Sequence, residues 1–192
     1  MSNKFLGRFF AISAPSGAGK TTLVNRLLKE FPDIGRSISC TTRKPRLGEK
    51  DGVDYFFIDK EKFQDMIRKD LFFEWEEVHG ACYGTPKGPL LKRRDQGQHT
   101  ILDIDTRGGL TIKKAFPDSC IIFLLPPSLK DLETRLRGRK TDPEEAIQRR
   151  LEDARTQIAE RSKFDYVVIN DDLDRAYNKI RKIIYDSIGG YP

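Results

Sequence analysis

The residues best suited to chemistry in this sequence form a glycine-rich segment near the N-terminus, Ala14-Pro15-Ser16-Gly17-Ala18-Gly19-Lys20-Thr21. An apolar run that predicts a strand precedes the segment, and a helical pattern follows it, as in a phosphate-binding loop. In such a turn, backbone N–H groups point at an anion, and the helix N-terminus adds roughly half a positive charge. Lys20 can reach the β- and γ-phosphates of a nucleotide, and the Thr21 hydroxyl can hold Mg²⁺. The segment therefore predicts a site for a nucleoside triphosphate.

One position of this segment departs from the strict phosphate-binding motif, because Ala14 stands where that motif has glycine. Alanine carries a Cβ atom and therefore fits only if its backbone φ is negative. The second glycine of the motif, Gly19, is intact, and so are Lys20 and Thr21. A chance glycine-rich turn before a helix is the alternative interpretation, but the strand-turn-helix context favours phosphate binding.

Two aspartates, Asp103 and Asp105, stand at the end of a later apolar run. One of them can orient Mg²⁺ through a water molecule, as the second acidic element of such sites does. The alternative is that one of them simply caps the turn that follows. The motif favours Asp103 as the residue that acts on the metal.

Four apolar runs predict buried strands, at residues 8–13, 100–104, 120–125 and 166–169. β-Branched and aromatic residues are nearly continuous in these runs, which is typical of a parallel sheet covered on both faces. Helical patterns separate or follow the runs: one at 20–31, one that opens at Asp142-Pro143-Glu144-Glu145, and a last one that carries Leu173. This alternation predicts an α/β fold with a doubly wound parallel sheet.

Two stretches interrupt the alternation. Residues 37 to 94 are rich in charged, aromatic and turn-forming residues, and they predict an inserted lobe with short strands. The charged stretch 130–150 joins two helices and predicts a mobile lid. We therefore expect a core made of residues 1–36, 95–128 and 155–192, an inserted lobe at 37–94 and a lid at 129–154.

Composition argues against several classes of protein. The 192-residue chain is 38% hydrophobic and 33% charged, as expected of a globular domain and not of a disordered or membrane protein. It has no long apolar run, and its N-terminal apolar stretch is too short for a signal peptide, so we expect a cytosolic location. Three well-separated cysteines and two histidines argue against disulfides, a zinc site and a histidine-dependent triad.

Beyond residue 36, a series of motifs follows in the order and spacing of one enzyme family. The longest is Ser37-Ile38-Ser39-Cys40-Thr41-Thr42-Arg43-Lys44-Pro45-Arg46-Leu47-Gly48-Glu49. The others are Asp54-Tyr55-Phe56-Phe57, Phe73-Glu74-Trp75, Tyr83-Gly84-Thr85, Leu102-Asp103-Ile104-Asp105, the arginines Arg135, Arg139 and Arg150, and Ile169-Asn170-Asp171-Asp172. With these motifs the sequence resembles the guanylate kinases over nearly its whole length.

The resemblance implies a P-loop NTPase fold, with an inserted GMP-binding lobe and a helical lid, that transfers the γ-phosphate of ATP to GMP with Mg²⁺. It implies an ATP site made of the segment 14–21 with Thr22, and with Asn170 near the adenine. Four residues would hold the GMP phosphate: Arg43, Arg46, Tyr55 and Tyr83. Glu74 would accept hydrogen bonds from the guanine ring, and the GMP site would be completed by Ser39, Thr85, Asp103 and Asp105.

The resemblance also implies the catalytic and metal-binding residues. The catalytic set would be Lys20, Arg43, Arg135, Arg139 and Arg150. The metal would be held by Thr21 and, through water, by Asp103. The sequence departs from the family pattern at Thr106-Arg107-Gly108-Gly109 and at Ala81-Cys82, which affects the base pocket, and residues 87–98 match least and receive no function.

Three other functions remain as alternatives. A guanylate-kinase-like module that binds proteins without catalysis need not keep the glycine-rich loop, which is intact here. A related kinase could use a phosphorylated sugar, although Glu74 with Ser39, Tyr83 and Thr85 favours a guanine base. The net charge of +6 would also suit a nucleic-acid-binding protein, but no basic-aromatic motif supports that function. We expect ATP and GMP as small-molecule substrates, no nucleic-acid or membrane partner, and a monomer or weak homo-oligomer.

Overall fold

The fold alternates strands and helices along the chain, and the structure, a computed structural model, describes residues 6–78, 80–138 and 143–189. The strands are β1 (Phe9–Ser13), β2 (Gly35–Arg36), β3 (Cys40–Thr41), β4 (Phe56–Phe57), β5 (Phe72–Val78), β6 (Ala81–Pro86), β7 (Thr100–Asp103), β8 (Cys120–Leu125) and β9 (Tyr166–Ile169). The helices are α1 (Lys20–Glu30), α2 (Lys60–Arg68), α3 (Lys87–Asp95), α4 (Thr106–Ala115), α5 (Leu129–Arg137), α6 (Glu144–Ala159) and α7 (Leu173–Ser187).

A five-stranded sheet in the order β2-β7-β1-β8-β9 forms the centre of the molecule. Every pairing in this sheet is parallel, and Phe10 of the central strand β1 pairs with Ile101 on one side and Cys120 on the other. Apolar clusters cover both faces, one built with α1 and α7 and the other with α4. The prediction of a doubly wound α/β fold is therefore confirmed.

The segment that contains the glycine-rich loop leaves the carboxyl end of β1, where ligands bind in open α/β sheets. Helix α1 begins directly after Gly19 and buries Leu23, Val24 and Leu27 against the central sheet. The helical spacing of these apolar residues packs one face of the helix against the sheet, and the short connection from Ser13 to Lys20 keeps its N-terminus near the end of β1.

A second, four-stranded sheet in the order β4-β3-β6-β5 is built from residues 40–86. Helix α2 packs on it through a cluster in which Phe63 and Phe72 stack with ring centroids 4.6 Å apart. Gly84 lies beneath these rings, where a Cβ atom would come within 2.9 Å of Phe72 and 3.1 Å of Phe63. The absence of a side chain at Gly84 therefore allows the helix to approach the sheet.

Two features of the fold differ from the sequence-based expectations. Strand β9 lies at the edge of the sheet and is not covered on both faces, since Val168 is buried whereas Tyr166, Val167 and Ile169 are exposed. Helix α3, which the expected boundary at residue 94 groups with the inserted lobe, buries Leu90 in the core cluster of the central sheet. No helix in the described part of the chain has the length and apolar character needed to span a membrane.

Candidate active site

The glycine-rich segment forms a tight loop between β1 and α1. Gly17 and Gly19 have positive φ angles of 92° and 94°, and the N–H of Ala18 donates to the carbonyl of Pro15 at 3.1 Å. Among the described residues, Asp70 is the only non-glycine residue with a positive φ, so Ala14 has the negative φ that an alanine at this position requires. Ser16, Thr21 and Thr22 are exposed, whereas Ala14, Pro15 and Ala18 are buried.

The ammonium group of Lys20 is held at the end of β7. Its Nζ lies 2.8 Å from Oδ1 of Asp103 and donates to the carbonyl of Ile104 at 2.9 Å. The other carboxylate oxygen of Asp103 lies 3.4 Å from Nη2 of Arg36. The structure thus places Asp103 directly beside the lysine of the loop, and a phosphate that draws the lysine away would have to compete with Asp103.

Oxygen donors suitable for Mg²⁺ are present in this region, because Thr21 offers a hydroxyl in the first turn of α1 and Asp103 offers a carboxylate. The described residues contain no cluster of three or more His, Cys, Asp or Glu side chains that could hold a metal alone. This donor set fits Mg²⁺, which keeps several waters and binds through one or two protein oxygens and substrate phosphates.

Asp105 caps helix α4. Its Oδ1 accepts a hydrogen bond from the N–H of Gly108 at 2.6 Å, so the capping alternative drawn from the sequence applies to Asp105 and not to Asp103. A Cβ atom on Gly108 would come within 3.1 Å of both Asp105 Oδ1 and Glu74 Cγ. The first turn of α4 therefore holds these two acidic residues close together.

Glu74 lies on β5 opposite Thr85 of β6, and the Thr85 hydroxyl donates a hydrogen bond to its carboxylate. The pKa of Glu74 is raised to about 7, mainly by burial. The charges of Asp105 and Glu76 act in the same direction, and the Thr85 hydrogen bond and Lys20 act against it. The carboxyl group therefore changes its charge near neutral pH.

Glu76 is a neighbour of this site that the sequence analysis missed. It lies two residues after Glu74 on the same strand, so both side chains project from one face of the second sheet. Burial raises the pKa of Glu76, and the charge of Asp105 and a hydrogen bond with it act in the same direction. The period-two spacing of the two glutamates is the signal that could have identified it.

The Arg43 side chain is held in place by Glu49, a second residue to which the sequence analysis assigns no role. The Arg43 guanidinium donates to both carboxylate oxygens of Glu49, at 2.8 Å and 3.0 Å, and this hydrogen bonding is the main cause that raises the pKa of Arg43. The same carboxylate accepts the backbone N–H of Arg46 at 2.7 Å. Glu49 is the last residue of the long motif, but only the structure shows that it is the partner of Arg43.

The other residues expected at the GMP phosphate lie around Arg43. Its guanidinium carbon lies 5.6 Å from the centre of the Tyr55 ring, and the Tyr55 and Tyr83 rings are 6.0 Å apart. Ser39, expected to complete the base pocket, is half-buried directly before β3, and its carbonyl accepts the N–H of Phe56 at 2.9 Å, next to Tyr55. The Arg46 side chain is exposed.

Two arginines of the expected lid contact the region of the glycine-rich loop. Nη2 of Arg135 donates to the carbonyl of Asn170 at 2.9 Å, and Nη1 of Arg150 donates to Oγ of Ser16 at 3.3 Å. Leu136, also on α5, lies beside Gly17, where a Cβ atom would come within 3.0 Å of it. Arg139 lies outside the described residues.

Asn170, expected near adenine, is only 4% exposed and lies beneath the loop. Its Nδ2 group donates to the carbonyl of Ala18 at 2.7 Å. The structure thus gives its amide nitrogen a partner within the glycine-rich loop itself.

Comparison with known proteins gives one consistent family. The sequence model described as guanylate kinase matches residues 7–187. A guanylate kinase from Syntrophotalea carbinolica is 51% identical over 93% of this chain and 85% of its own length, and one from Myxococcus xanthus is 49% identical over 93% and 86%. The crystal structure of a guanylate kinase from Anaplasma phagocytophilum is similar with a TM-score of 0.75 and 32% identity, over 94% of this chain and 86% of that one.

Proposed function

The chain belongs to the guanylate kinase family, and from this premise we propose that it transfers the γ-phosphate of ATP directly to GMP, giving ADP and GDP. As a member it is a nucleoside monophosphate kinase, an enzyme that uses ATP. Relatives with this activity match nearly its full length, so a related kinase for a phosphorylated sugar is the less favoured function.

One observation carries the proposal: the end of β7 touches both halves of the expected site. Asp103 binds Lys20 of the phosphate-binding loop, and Asp105, two residues later, lies beside Glu74 of the second sheet. A nucleotide on the loop and a nucleotide whose base reaches Glu74 would therefore extend toward each other across this strand end. Direct transfer needs little more than such alignment.

The acceptor nucleotide is bound through two different chemistries. Arginine forks match phosphate oxygens in pairs, and Arg43 is oriented for this task by Glu49, while tyrosine hydroxyls at Tyr55 and Tyr83 add donors. The ionised Glu74 carboxylate accepts hydrogen bonds from the guanine ring N–H and 2-amino groups, with Ser39, Thr85 and Asp105 completing the base pocket. Adenine lacks this pair of donors, which gives the site its selectivity.

The donor phosphates are held by the loop N–H groups, by Lys20 and by the N-terminus of α1. Lys20 leaves Asp103 and Ile104 to reach the β- and γ-phosphates, and Arg135 and Arg150 neutralise charge from the lid side. Thr21 and Asp103, through water, would hold Mg²⁺, which supplies charge neutralisation on the phosphate oxygens when bound. A GMP phosphate oxygen attacks in line, and no phosphoenzyme forms.

The lid and the lobe of residues 37–94 are proposed to close over the two nucleotides, because water would otherwise compete with GMP for the phosphoryl group. We propose the division into core, lobe and lid given above, with Leu90 near the end of the lobe packed on the core. The proposal includes a cytoplasmic monomer or weak homo-oligomer with no nucleic-acid or membrane partner. Light scattering on the purified protein measures the oligomeric state.

Production of ADP from ATP and Mg²⁺ with GMP, AMP, CMP or UMP tests the proposed function. Turnover with GMP and little with the other three is the expected result. Absence of turnover with every nucleotide, in protein that still binds ATP, would contradict the proposal. Phosphopeptides and sugar phosphates would then be tested as partners or acceptors.

The charge of Glu74 predicts a pH dependence of GMP use. Its pKa of about 7 in the free protein means that protonation below this pH removes an acceptor that GMP requires. We expect kcat/KM for GMP to be flat above pH 7 and to fall below it, approaching about tenfold per pH unit. Steady-state kinetics between about pH 5.5 and 9, a range that includes the pKa of Glu74, measures the profile.

A control is needed because the second ionisation of the GMP phosphate, with a pKa near 6, also falls in this range. Glu74→Gln keeps the titration of the phosphate and removes that of the side chain. The wild-type profile should therefore bend at a higher pH than that of the variant. Identical profiles in the two proteins would show that Glu74 does not control GMP binding through its charge.

A further inference from the structure

A buried amide lies directly beneath the phosphate-binding loop. Asn170 follows the last residue of β9, and its backbone N–H donates to the carbonyl of Leu125 at the end of β8 at 2.8 Å. Its side chain points back to the loop, where Nδ2 donates to the Ala18 carbonyl at 2.7 Å. Asn170 is therefore anchored in the central sheet and bonded to the loop at the same time.

This hydrogen bond fixes the orientation of one peptide group in the loop. The carbonyl of Ala18 and the N–H of Gly19 belong to a single peptide unit, and no cis peptide bond occurs among the described residues. In a planar trans peptide, the carbonyl and the N–H point in opposite directions. Because Asn170 holds the Ala18 carbonyl toward the interior, the N–H of Gly19 points away from Asn170, toward the open side of the loop.

Packing reinforces the same orientation. Gly19 has a φ of 94°, and a Cβ atom on it would lie 2.6 Å from Nδ2 of Asn170. The amide thus occupies the space that a side chain at Gly19 would need. Rotation of the Ala18–Gly19 peptide would break the hydrogen bond and leave a buried amide without its acceptor, which is unfavourable in a protein interior.

From this geometry we infer that Asn170 is a positioning residue of the phosphate-binding loop, which aims the N–H of Gly19 at the phosphates of the donor nucleotide. The inference rests on the proposed function, and it assigns Asn170 to the triphosphate rather than to the adenine. The backbone carbonyl of Asn170 also accepts a hydrogen bond from Arg135 at 2.9 Å. The same residue therefore contacts both the loop and an arginine of α5.

Binding of inorganic tripolyphosphate separates these two roles, because this molecule has the phosphates of ATP and no base. Calorimetry would compare tripolyphosphate and ATP on the wild-type protein and on Asn170→Ala. Both ligands should bind more weakly to the variant by the same factor, about tenfold to a hundredfold, as expected when a hydrogen bond to a charged group is lost. Asn170→Leu keeps the branched heavy-atom skeleton without a donor and should lose the same affinity. It provides a second variant if Asn170→Ala does not fold.

Val168→Ala is the matched control. Val168 lies on β9 two residues before Asn170 and is buried in the same sheet, at 3% exposure, so its truncation weakens the core without touching the loop carbonyl. The control should lower the melting temperature and leave the affinity for tripolyphosphate unchanged. Equal losses of tripolyphosphate binding in Val168→Ala and Asn170→Ala would reduce Asn170 to a structural role and overturn the inference.

Two further results would also overturn it. Weaker binding of ATP with unchanged binding of tripolyphosphate would assign Asn170 to the adenine. Failure of the wild-type protein to bind tripolyphosphate would refute the phosphate site and this inference together. A wild-type protein that binds tripolyphosphate but does not phosphorylate GMP would instead contradict only the proposed acceptor, and the comparison of the Asn170 variants would stand.

Discussion

Arg135→Ala is expected to lower kcat by about 10³-fold or more, the effect typical of an arginine that stabilises the charge of the phosphoryl group in the transition state. The KM for GMP should change far less, because the residues proposed to bind GMP lie on and around the second sheet and not on α5. The structure connects Arg135 to the glycine-rich loop through two hydrogen bonds, from Arg135 to the carbonyl of Asn170 and from the Asn170 side chain to the carbonyl of Ala18. A guanidinium has five N–H donors, so this contact uses only part of its capacity.

Steady-state kinetics with varied GMP and saturating ATP measures the effect. Arg135→Lys retains the charge but loses the planar fork, and we expect it to recover only part of kcat. Arg149→Ala is the control, since Arg149 is an exposed arginine of α6 and its removal makes the same change in net charge. An unchanged kcat in Arg135→Ala would remove this residue from the mechanism.

The second large effect concerns the choice of base. Glu74→Ala should erode the preference for GMP over AMP, expressed as a ratio of kcat/KM values, by about 10³-fold, since sites built on such hydrogen bonds discriminate by ~10⁴ or more. Most of the loss should fall on GMP, because the guanine N–H and 2-amino groups lose their acceptor. The Thr85 hydroxyl loses the same partner and is left in a buried position.

The chain offers a matched control on the same strand. Glu77 pairs with Cys82, whereas Glu74 pairs with Thr85, so the two glutamates project from opposite faces of the second sheet. Glu77 is exposed, and Glu77→Ala should leave both substrates unaffected. Retention of full GMP preference in Glu74→Ala would show that the base pocket has been placed on the wrong residues.

The local parts of the fold and site followed from the sequence. The glycine-rich segment is contiguous, the strand before it is a continuous apolar run, and the helix after it has periodic apolar residues, so all three could be predicted without knowing the rest of the chain. The negative φ required of Ala14 was predicted in the same way and is confirmed. The family motifs, which also occur as short contiguous stretches, allowed the activity to be predicted.

Contacts between distant segments could not be predicted from the sequence. The partner of Asn170 is the carbonyl of Ala18, 152 residues away in sequence, and nothing in either motif specifies that pairing. The choice between Asp103 and Asp105 as the cap of α4 also needed coordinates, because both residues stand at the end of the same strand. The position of Leu90 in the core and the exposure of β9 were missed for the same reason.

Periodicity and motif spacing are properties of neighbouring residues, so the α/β class, the glycine-rich loop and the family could all be predicted from the sequence. The contacts of Glu76 with Asp105 and of Asn170 with Ala18, in contrast, became visible only in the tertiary structure. Those contacts follow from the order of strands in the sheets, where β9 lies beside β8 and β5 lies beside α4. Strand order is set by the packing of the whole chain, which brings together residues that no local pattern connects.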